Sequence, residues 1–327
     1  MKQSEIKEKH SALSSKYDRL GKNLVEAISS FLIDEGIPFV SVNYRIKTFD
    51  SFFEKIDRKN YKIPFEEIED FCGLRIICYY ASDITKIESI IKRELNELNS
   101  EDKADSLGLK EFAYRSVHKI AKIKDDWTAT PNYRGLNDLK IEIQIRTILM
   151  HAWAEIEHKL NYKSDAQVPS TFQRKLFRLS AKFEEADEQF EELRNGINDY
   201  RKTIIEKTNI ENRFDVHQDF NLDSFTAFLN YHFPESQPID ESRIDSAFEI
   251  LEKHNIGFED LEMAIKKTKP FVKEISKDLI DSGYGNDLSR MPTEFIGFAT
   301  HVTKLRNYDS TLPEWKRIVN KWVILIK

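Results

Sequence analysis

Apolar and polar positions alternate without a break over 139–147, with Ile141, Ile143 and Ile145 on one parity and Glu142, Gln144 and Arg146 on the other. On a β-strand this puts three isoleucines on one face and an acid, an amide and a guanidinium on the opposite face. The apolar face gives the strand its reason to form. The polar row has no structural reason of that kind, so it marks a candidate site. Upstream, 4–35 reads as a helix with Tyr17, Leu20, Leu24, Ile28 and Phe31 on one side, ended by Gly36-Ile-Pro38. A strand over 40–47 precedes a short helix that Asp50 or Ser51 caps and that runs to about Lys59. A second strand covers 72–80. From Asp83 a helix carries Ile84, Ile87, Ile91, Leu95 and Leu98 on one stripe. After a polar loop at 99–110, strands at 114–123 and 139–146 flank a loop with Trp127, Pro131 and Gly135. A helix over 147–162 turns Leu149, Trp153, Ile156 and Leu160 inward. The order βαβαββα predicts an α/β domain, a mixed sheet with helices packed on it.

Past Asp165 the pattern changes. Phe172, Leu176, Leu179, Phe183, Ala186, Phe190, Leu193, Ile197, Tyr200 and Ile204 alternate steps of four and three, a heptad seam. One long helix packed antiparallel on the N-terminal helix fits this seam, and a dimeric coiled coil is the alternative. Phe, Tyr and Ala in place of Leu and Ile favour packing within the chain. A polar linker at 206–219 leads to short helices without a strand pattern. The organisation expected is a domain at 1–165, a long helix at 166–205 and an all-helical module at 220–327.

Composition narrows the function. Lys and Arg number 50 against 56 Asp and Glu, a net charge of −6, which does not support a global attraction to nucleic acid and leaves only a local basic patch. No apolar run reaches transmembrane length and the first residues lack a signal-peptide apolar segment, so a cytoplasmic protein with no membrane partner is expected. Cys72 and Cys78 share parity on one strand about 20 Å apart, beyond disulfide reach, and read as buried reduced thiols. A zinc site would need more ligands.

Four clusters carry candidate chemistry. Arg45 and Lys47 share a strand face, and Ser51, Lys55 and Arg58 share a helix face, so four cations and a hydroxyl meet at a strand-to-helix corner. That suits phosphate, which Lys meets as a point charge and Arg as a fork. A solvated basic face paired with Asp50, Glu54 and Asp57 suits it equally. The second cluster is Asp70-x-x-Gly73-x-Arg75, an acid able to hold Mg²⁺ beside an Arg able to stack on a base. The third is Tyr114, Ser116 and His118 on one strand face. The fourth is the opening row. His151 and His158 lie seven apart on the next helix without an H-E-x-x-H pattern, which gives a metal role no support, and Trp153 between them reads as core. Gly-rich phosphate loops are absent.

In this order the clusters resemble the RelA/SpoT synthetase family, the (p)ppGpp synthetases. The matching string is Arg45-x-Lys47, Ser51-x-x-x-Lys55-x-x-Arg58, Asp70-x-x-Gly73-x-Arg75, Tyr114-x-Ser116-x-His118, Glu142-x-Gln144-x-Arg146-Thr147 and His151-Ala-Trp-Ala-Glu155, continuing to Lys163. The resemblance implies a nucleotidyltransferase-like mixed sheet with flanking helices and transfer of pyrophosphate from ATP to the 3′-hydroxyl of GDP or GTP. It implies that Arg45 and Arg75 sandwich the adenine and that Lys47, Ser51, Lys55 and Arg58 hold the ATP phosphates. Asp70 and Glu142 would bind Mg²⁺. Tyr114 would stack on the acceptor base, with Lys110, His118 and Gln144 nearby. Glu142 is left divided between metal ligand and proton acceptor.

The chain departs from the family at Leu107-Gly-Leu-Lys-Glu-Phe-Ala-Tyr114, which lacks the family's Pro and the Gly before Tyr. This leaves a second reading, a toxin or phage-defence enzyme that uses the same ATP site on tRNA 3′ ends or adenine nucleotides, with the helical extension as sensor or restraint. A third is a nucleotide-binding module without catalysis, against which the intact Asp70 and Glu142 argue. No His-Asp hydrolase motif stands before Arg45, so alarmone hydrolysis is not expected. A homo-oligomer is compatible with all three readings.

Overall fold

The parity of the strands decides which face of the sheet is core. Ile141, Ile143 and Ile145 are fully buried, as are Leu74 and Ile76 on the neighbouring strand. Each such side chain stabilises the fold by about 1.5–3 kcal/mol on burial, so a slip of one residue, which would expose the whole set, is strongly disfavoured. The structure, a computed structural model, describes residues 3–101, 116–161, 170–211, 213–236, 239–283, 288, 291–305 and 313–326. The chain divides into two compact units, 1–194 and 195–327. The boundary falls within the long helix, whereas the sequence suggested divisions on either side of it.

In the first unit, α1 (Gln3–Asp34) lies on β1 (Phe39–Ile46) and β2 (Cys72–Cys78). Its Leu20, Leu24, Ile28 and Leu32 are buried. Next come α2 (Phe49–Lys59), α3 (Pro64–Glu67), α4 (Ala81–Glu94), β3 (Leu95–Glu101), β4 (Val117–Ile123), β5 (Ile141–Thr147) and α5 (Ile148–Asn161). The sheet order is β1-β2-β5-β4-β3. Only β2 and β5 run parallel; the other neighbours are antiparallel. This is the mixed sheet the alternation pattern predicts. Both cysteines are buried and free, and burial pushes each thiol up to about 12.

Three expectations are corrected. Helix α2 starts one residue before Asp50, because Thr48 is its cap and accepts the Ser51 N–H through its hydroxyl. The stripe ending in Leu95 and Leu98 is not continuous helix. The helix stops at Glu94, and Leu95 opens an edge strand paired with β4, where part of a loop was expected. Leucines at helical spacing do not reveal that a distant strand will satisfy their backbone groups. On α5 only Trp153 is deeply buried, while Ile156 and Leu160 are exposed.

The long helix α6 (Ser170–Glu211) is present, and among the described residues the contacts that hold its first part lie elsewhere than on α1. Phe183 meets the Trp153 ring at 5.7 Å, and the Thr147 hydroxyl donates to Asp187 at 2.6 Å. Arg194 pairs with the fully buried Asp83 at 3.1 Å while lying 4.2 Å over the Tyr80 ring. Glu191 accepts the Ser82 N–H. Buried polar pairs, which a heptad count ignores, therefore dock this helix onto the β2–α4 and β5–α5 turns. Several seam residues remain exposed, among them Phe172, Leu179, Phe190 and Leu193.

Burial, aided by Glu191, raises the Asp187 carboxyl to about 7. Its folded pKa thus lies above its unfolded one, so its contribution is full below about pH 4 and is lost as pH rises through about 7. Thermal unfolding between about pH 5 and 8 should show the wild type losing stability on the order of a few kcal/mol, while Asp187→Asn stays flat. Parallel profiles would show that the carboxyl is not the titrating group.

The second unit packs α7 (Leu222–His232), α8 (Glu241–Lys253), α9 (Phe258–Thr268), α10 (Val272–Asp281), α11 (Pro292–Thr300) and α12 (Pro313–Leu325) around Phe225, Phe228, Phe295 and Phe298. Asn221 and Ser224 form a reciprocal capping box at the start of α7. As expected, no strand occurs among its described residues. No described helix is long and apolar enough to cross a membrane.

Candidate active site

Strand register assembles the site from segments far apart in sequence. Arg45 of β1 lies opposite Gly73 of β2, which lies opposite Glu142 of β5. One row on, Asn43, Arg75, Gln144 and His118 line up across four strands. Paired residues share a face, so these polar groups all project from the side opposite the isoleucines. Gly73 keeps the space between Arg45 and Glu142 open: a Cβ there would meet nothing nearer than the Glu142 carboxylate at 3.8 Å.

The β1–α2 corner is fixed from below. Phe52, fully buried, anchors α2 against Phe65 and Phe71, which leaves Ser51, Lys55 and Arg58 on a flanking face that lines the cavity. Lys47 donates its backbone N–H to the Phe71 carbonyl, and its own carbonyl is hydrogen-bonded to His10 Nε2 at 3.0 Å. The Lys47 and Lys55 ammonium groups both reach Asp70, at 2.5 and 2.9 Å. Burial alone would raise the Asp70 pKa, but the two lysines outweigh it and hold the carboxyl below its ordinary value. Two cations and one acid leave a surplus positive charge. On the opposite face of β1, Tyr44 packs so closely on Gly21 that a Cβ there would lie 2.2 Å from its ring, with its hydroxyl donated to Asp18.

Glu142 is held by two donors. His118 Nδ1 lies 3.0 Å from Oε1 and Gln144 Nε2 2.9 Å from Oε2. An ionised carboxylate only accepts, so Nδ1 carries the proton, and in the neutral ring Nε2 accepts from the Ser116 hydroxyl at 2.6 Å. Burial again pushes the Glu142 pKa up, and the His118 and Gln144 hydrogen bonds more than reverse it.

Further along β5, Arg146 lies beside Arg75. Burial and that like charge lower the Arg146 pKa, against the pull of Glu155 and Glu142. Glu155 of α5 accepts from Arg75 Nη1 at 3.1 Å, and His151 Nδ1 stands 4.0 Å from the same oxygen.

A cavity of about 860 Å³ is lined by Arg45, Lys47, Ser51, Lys55, Arg58, Asp70, Arg75, Glu142 and Gln144. Nine of the residues singled out in the sequence thus meet in one place. His118 is joined to that cavity through Glu142. Lys110 and Tyr114 lie outside the described residues. Glu155, His151, Glu54, Asn43 and Tyr44 also line the cavity without having been assigned a role. Glu155 and His151 sit in the last segment of the matching string, where the two histidines drew attention and the acid between them did not. No signal could have found His10, an isolated histidine on an apolar helix face. Among the described residues no group of three or more His, Cys, Asp or Glu is placed to hold a metal ion, so a closed zinc-type cage is not formed there.

Known proteins resemble this chain over the region that holds the cavity. The profile of the region found in RelA / SpoT proteins matches residues 44–167. GTP pyrophosphokinase YjbM of Bacillus subtilis (strain 168) is 32% identical over 178 residues, which span 53% of this chain and 81% of that protein. GTP pyrophosphokinase YwaC of the same organism is 36% identical over 138 residues, covering 40% of this chain and 62% of the relative. The crystal structure of the small alarmone synthetase 1 from Bacillus subtilis superposes with a TM-score of 0.50 at 28% identity, over 58% of this chain and 98% of that one.

Proposed function

The chain belongs to the RelA/SpoT-type synthetase family, and on that premise we propose that its cavity transfers pyrophosphate from ATP to the 3′-hydroxyl of GDP or GTP, making (p)ppGpp. The observation that carries the proposal is the cluster at the β1–α2 corner. Lys47 and Lys55 converge on one ionised carboxylate, with Arg45, Ser51 and Arg58 around the same cavity. A solvated basic face would not gather its cations on a half-buried acid at the floor of a cavity.

In the reaction the 3′-hydroxyl gives up its proton to Glu142 or to water, its oxygen attacks the β-phosphorus of ATP, the bond from that phosphorus to the α-phosphate bridging oxygen breaks, and AMP leaves with the electron pair. Such transfer needs positioning and charge neutralisation more than covalent help. Lys47, Lys55 and Arg58 neutralise the donor phosphates, and Ser51 at the first turn of α2 offers a hydroxyl beside free backbone N–H groups. Arg45 and Arg75 flank the base. Glu142, locked by His118 and Gln144, orients the acceptor side.

Asp70 and Glu142 fit a magnesium site. Both are ionised hard-oxygen donors, and the Asp70 charge is felt at Glu142. Mg²⁺ is commonly held by one or two carboxylates together with substrate phosphates. When bound, it would supply charge neutralisation at the donor phosphates.

Incubation with labelled ATP and GDP, GTP, ATP or bulk tRNA, with products resolved by chromatography, tests the assignment. AMP and a 3′-pyrophosphorylated guanosine nucleotide are the expected products. Label in tRNA or in an adenine nucleotide would replace the guanosine acceptor and turn the reading toward a toxin or defence enzyme. The helix α6 is shared by both units, and is the covalent path by which 195–327 would sense or restrain the site.

A further inference from the structure

The cavity is graded in charge along its length. At the α2 end Lys47 and Lys55 more than neutralise Asp70. At the α5 end a further carboxylate, Glu155, stands half-exposed with Arg75 as its ion-pair partner and His151 at the edge of contact. A triphosphate is drawn to the corner where Lys47, Lys55 and Arg58 gather, so a nucleotide bound there lies with its base toward α5. That end is built for a flat, uncharged group. It offers the guanidinium plane of Arg75, the side chain of Ile77, and the His151 ring, whose buried Nδ1 has no hydrogen-bond partner.

Only one oxygen of Glu155, Oε1, is engaged by Arg75. A carboxylate accepts hydrogen bonds and cannot donate one. Adenine presents a 6-amino group, a donor, beside an unprotonated N1; at that position guanine and hypoxanthine present a 6-oxo group, an acceptor that a carboxylate repels, and carry their donor at N1 instead. We propose that Glu155, held in place by Arg75 and assisted by His151, reads the donor base, accepting a hydrogen bond from the 6-amine of adenine and excluding 6-oxopurines. This rests on reading the cavity as the ATP site. It would keep the acceptor's guanine out of the donor position, a separation that an enzyme handling both purines requires. A site built around a hydrogen-bonding group rejects a mismatched analogue far more strongly than an apolar pocket can.

The test compares ATP with inosine triphosphate, whose base has a 6-oxo group and a protonated N1 in place of the 6-amine. Binding of each to the full chain is measured by calorimetry with Mg²⁺ and no acceptor, for the wild type, Glu155→Gln and Glu155→Ala. The wild type should prefer ATP by about 10²-fold. Glu155→Gln, whose amide can also donate, should cut that preference at least about tenfold. Glu155→Ala should bind ATP more weakly and discriminate little. If Glu155 serves only to position Arg75, both variants lose affinity for the two nucleotides alike and the ratio stays unchanged, which overturns the proposal. A wild type that binds both equally overturns it too. Because no acceptor is present, these outcomes are separate from the transfer assay: selective ATP binding without transfer to any acceptor would remove the pyrophosphokinase reading and leave the base reading standing.

Discussion

Asp70→Asn is expected to lower kcat for pyrophosphate transfer by about 10³-fold without raising KM for ATP. The two effects separate because Asp70 has two functions. It is the acid through which Lys47 and Lys55 are held at 2.5 and 2.9 Å, and it is a carboxylate available to a metal ion. An amide of the same shape removes the negative charge and leaves both ammonium groups in the cavity. Their attraction for the donor phosphates is then undiminished or greater, so ground-state binding holds. Charge stabilisation at the reacting centre does not. Only interactions that strengthen in the transition state raise kcat, and this variant removes such an interaction while sparing uniform binding. Steady-state kinetics with varied ATP at saturating acceptor, beside a urea unfolding curve, gives the answer. A folded variant that retains more than about a tenth of the wild-type rate would sink the assignment of Asp70 to the chemistry.

Glu142→Gln should cost about 10²-fold in kcat and fall chiefly on the acceptor. The wild-type carboxylate takes one donor on each oxygen, His118 Nδ1 at 3.0 Å and Gln144 Nε2 at 2.9 Å. The substituted amide has one oxygen and one NH₂. If the oxygen stays with His118, its NH₂ faces the NH₂ of Gln144, and that buried donor loses its acceptor. If the amide flips, His118 loses its orientation instead, and with it the bond to Ser116. Either way two groups on the His118–Gln144 row move. The phosphate-binding corner formed by α2 has no bond to this network among the described contacts, so KM for ATP should stay within about twofold while KM for the acceptor rises. An unchanged acceptor KM with a depressed kcat would place Glu142 in the chemical step alone.

The register of the sheet explains how much of this could be read in advance. Alternation over 139–147 identified β5, its buried face and its polar face, because one strand's parity is a local property. Ser51, Lys55 and Arg58 were likewise placed together by helical spacing. Local periodicity could not place Arg45 opposite Gly73 and Gly73 opposite Glu142, because pairing between strands about 30 and 70 residues apart carries no local signature. The order of motifs shared with a known family supplied that link. The failures have the same origin. Leu95 and Leu98 satisfied a helical stripe until β4 offered their backbone a partner, and α6 satisfied a heptad count while its docking depended on Asp187, Arg194 and Asp83, polar residues outside the seam.

By itself the sequence determined the strand faces, the basic helix face and the absence of a phosphate loop. These follow from side-chain type and period alone. The tertiary structure decided which cations meet which acid, that Glu142 takes one hydrogen bond on each oxygen, from His118 and Gln144, and that Glu155 lines the far end of the cavity beside Arg75. Those relations are distances between groups remote in the chain. They are fixed by the pairing of β1, β2, β5 and β4, by the anchoring of α2 through Phe52 and by the packing of α5 on β5 and β2, and no local rule of spacing contains them.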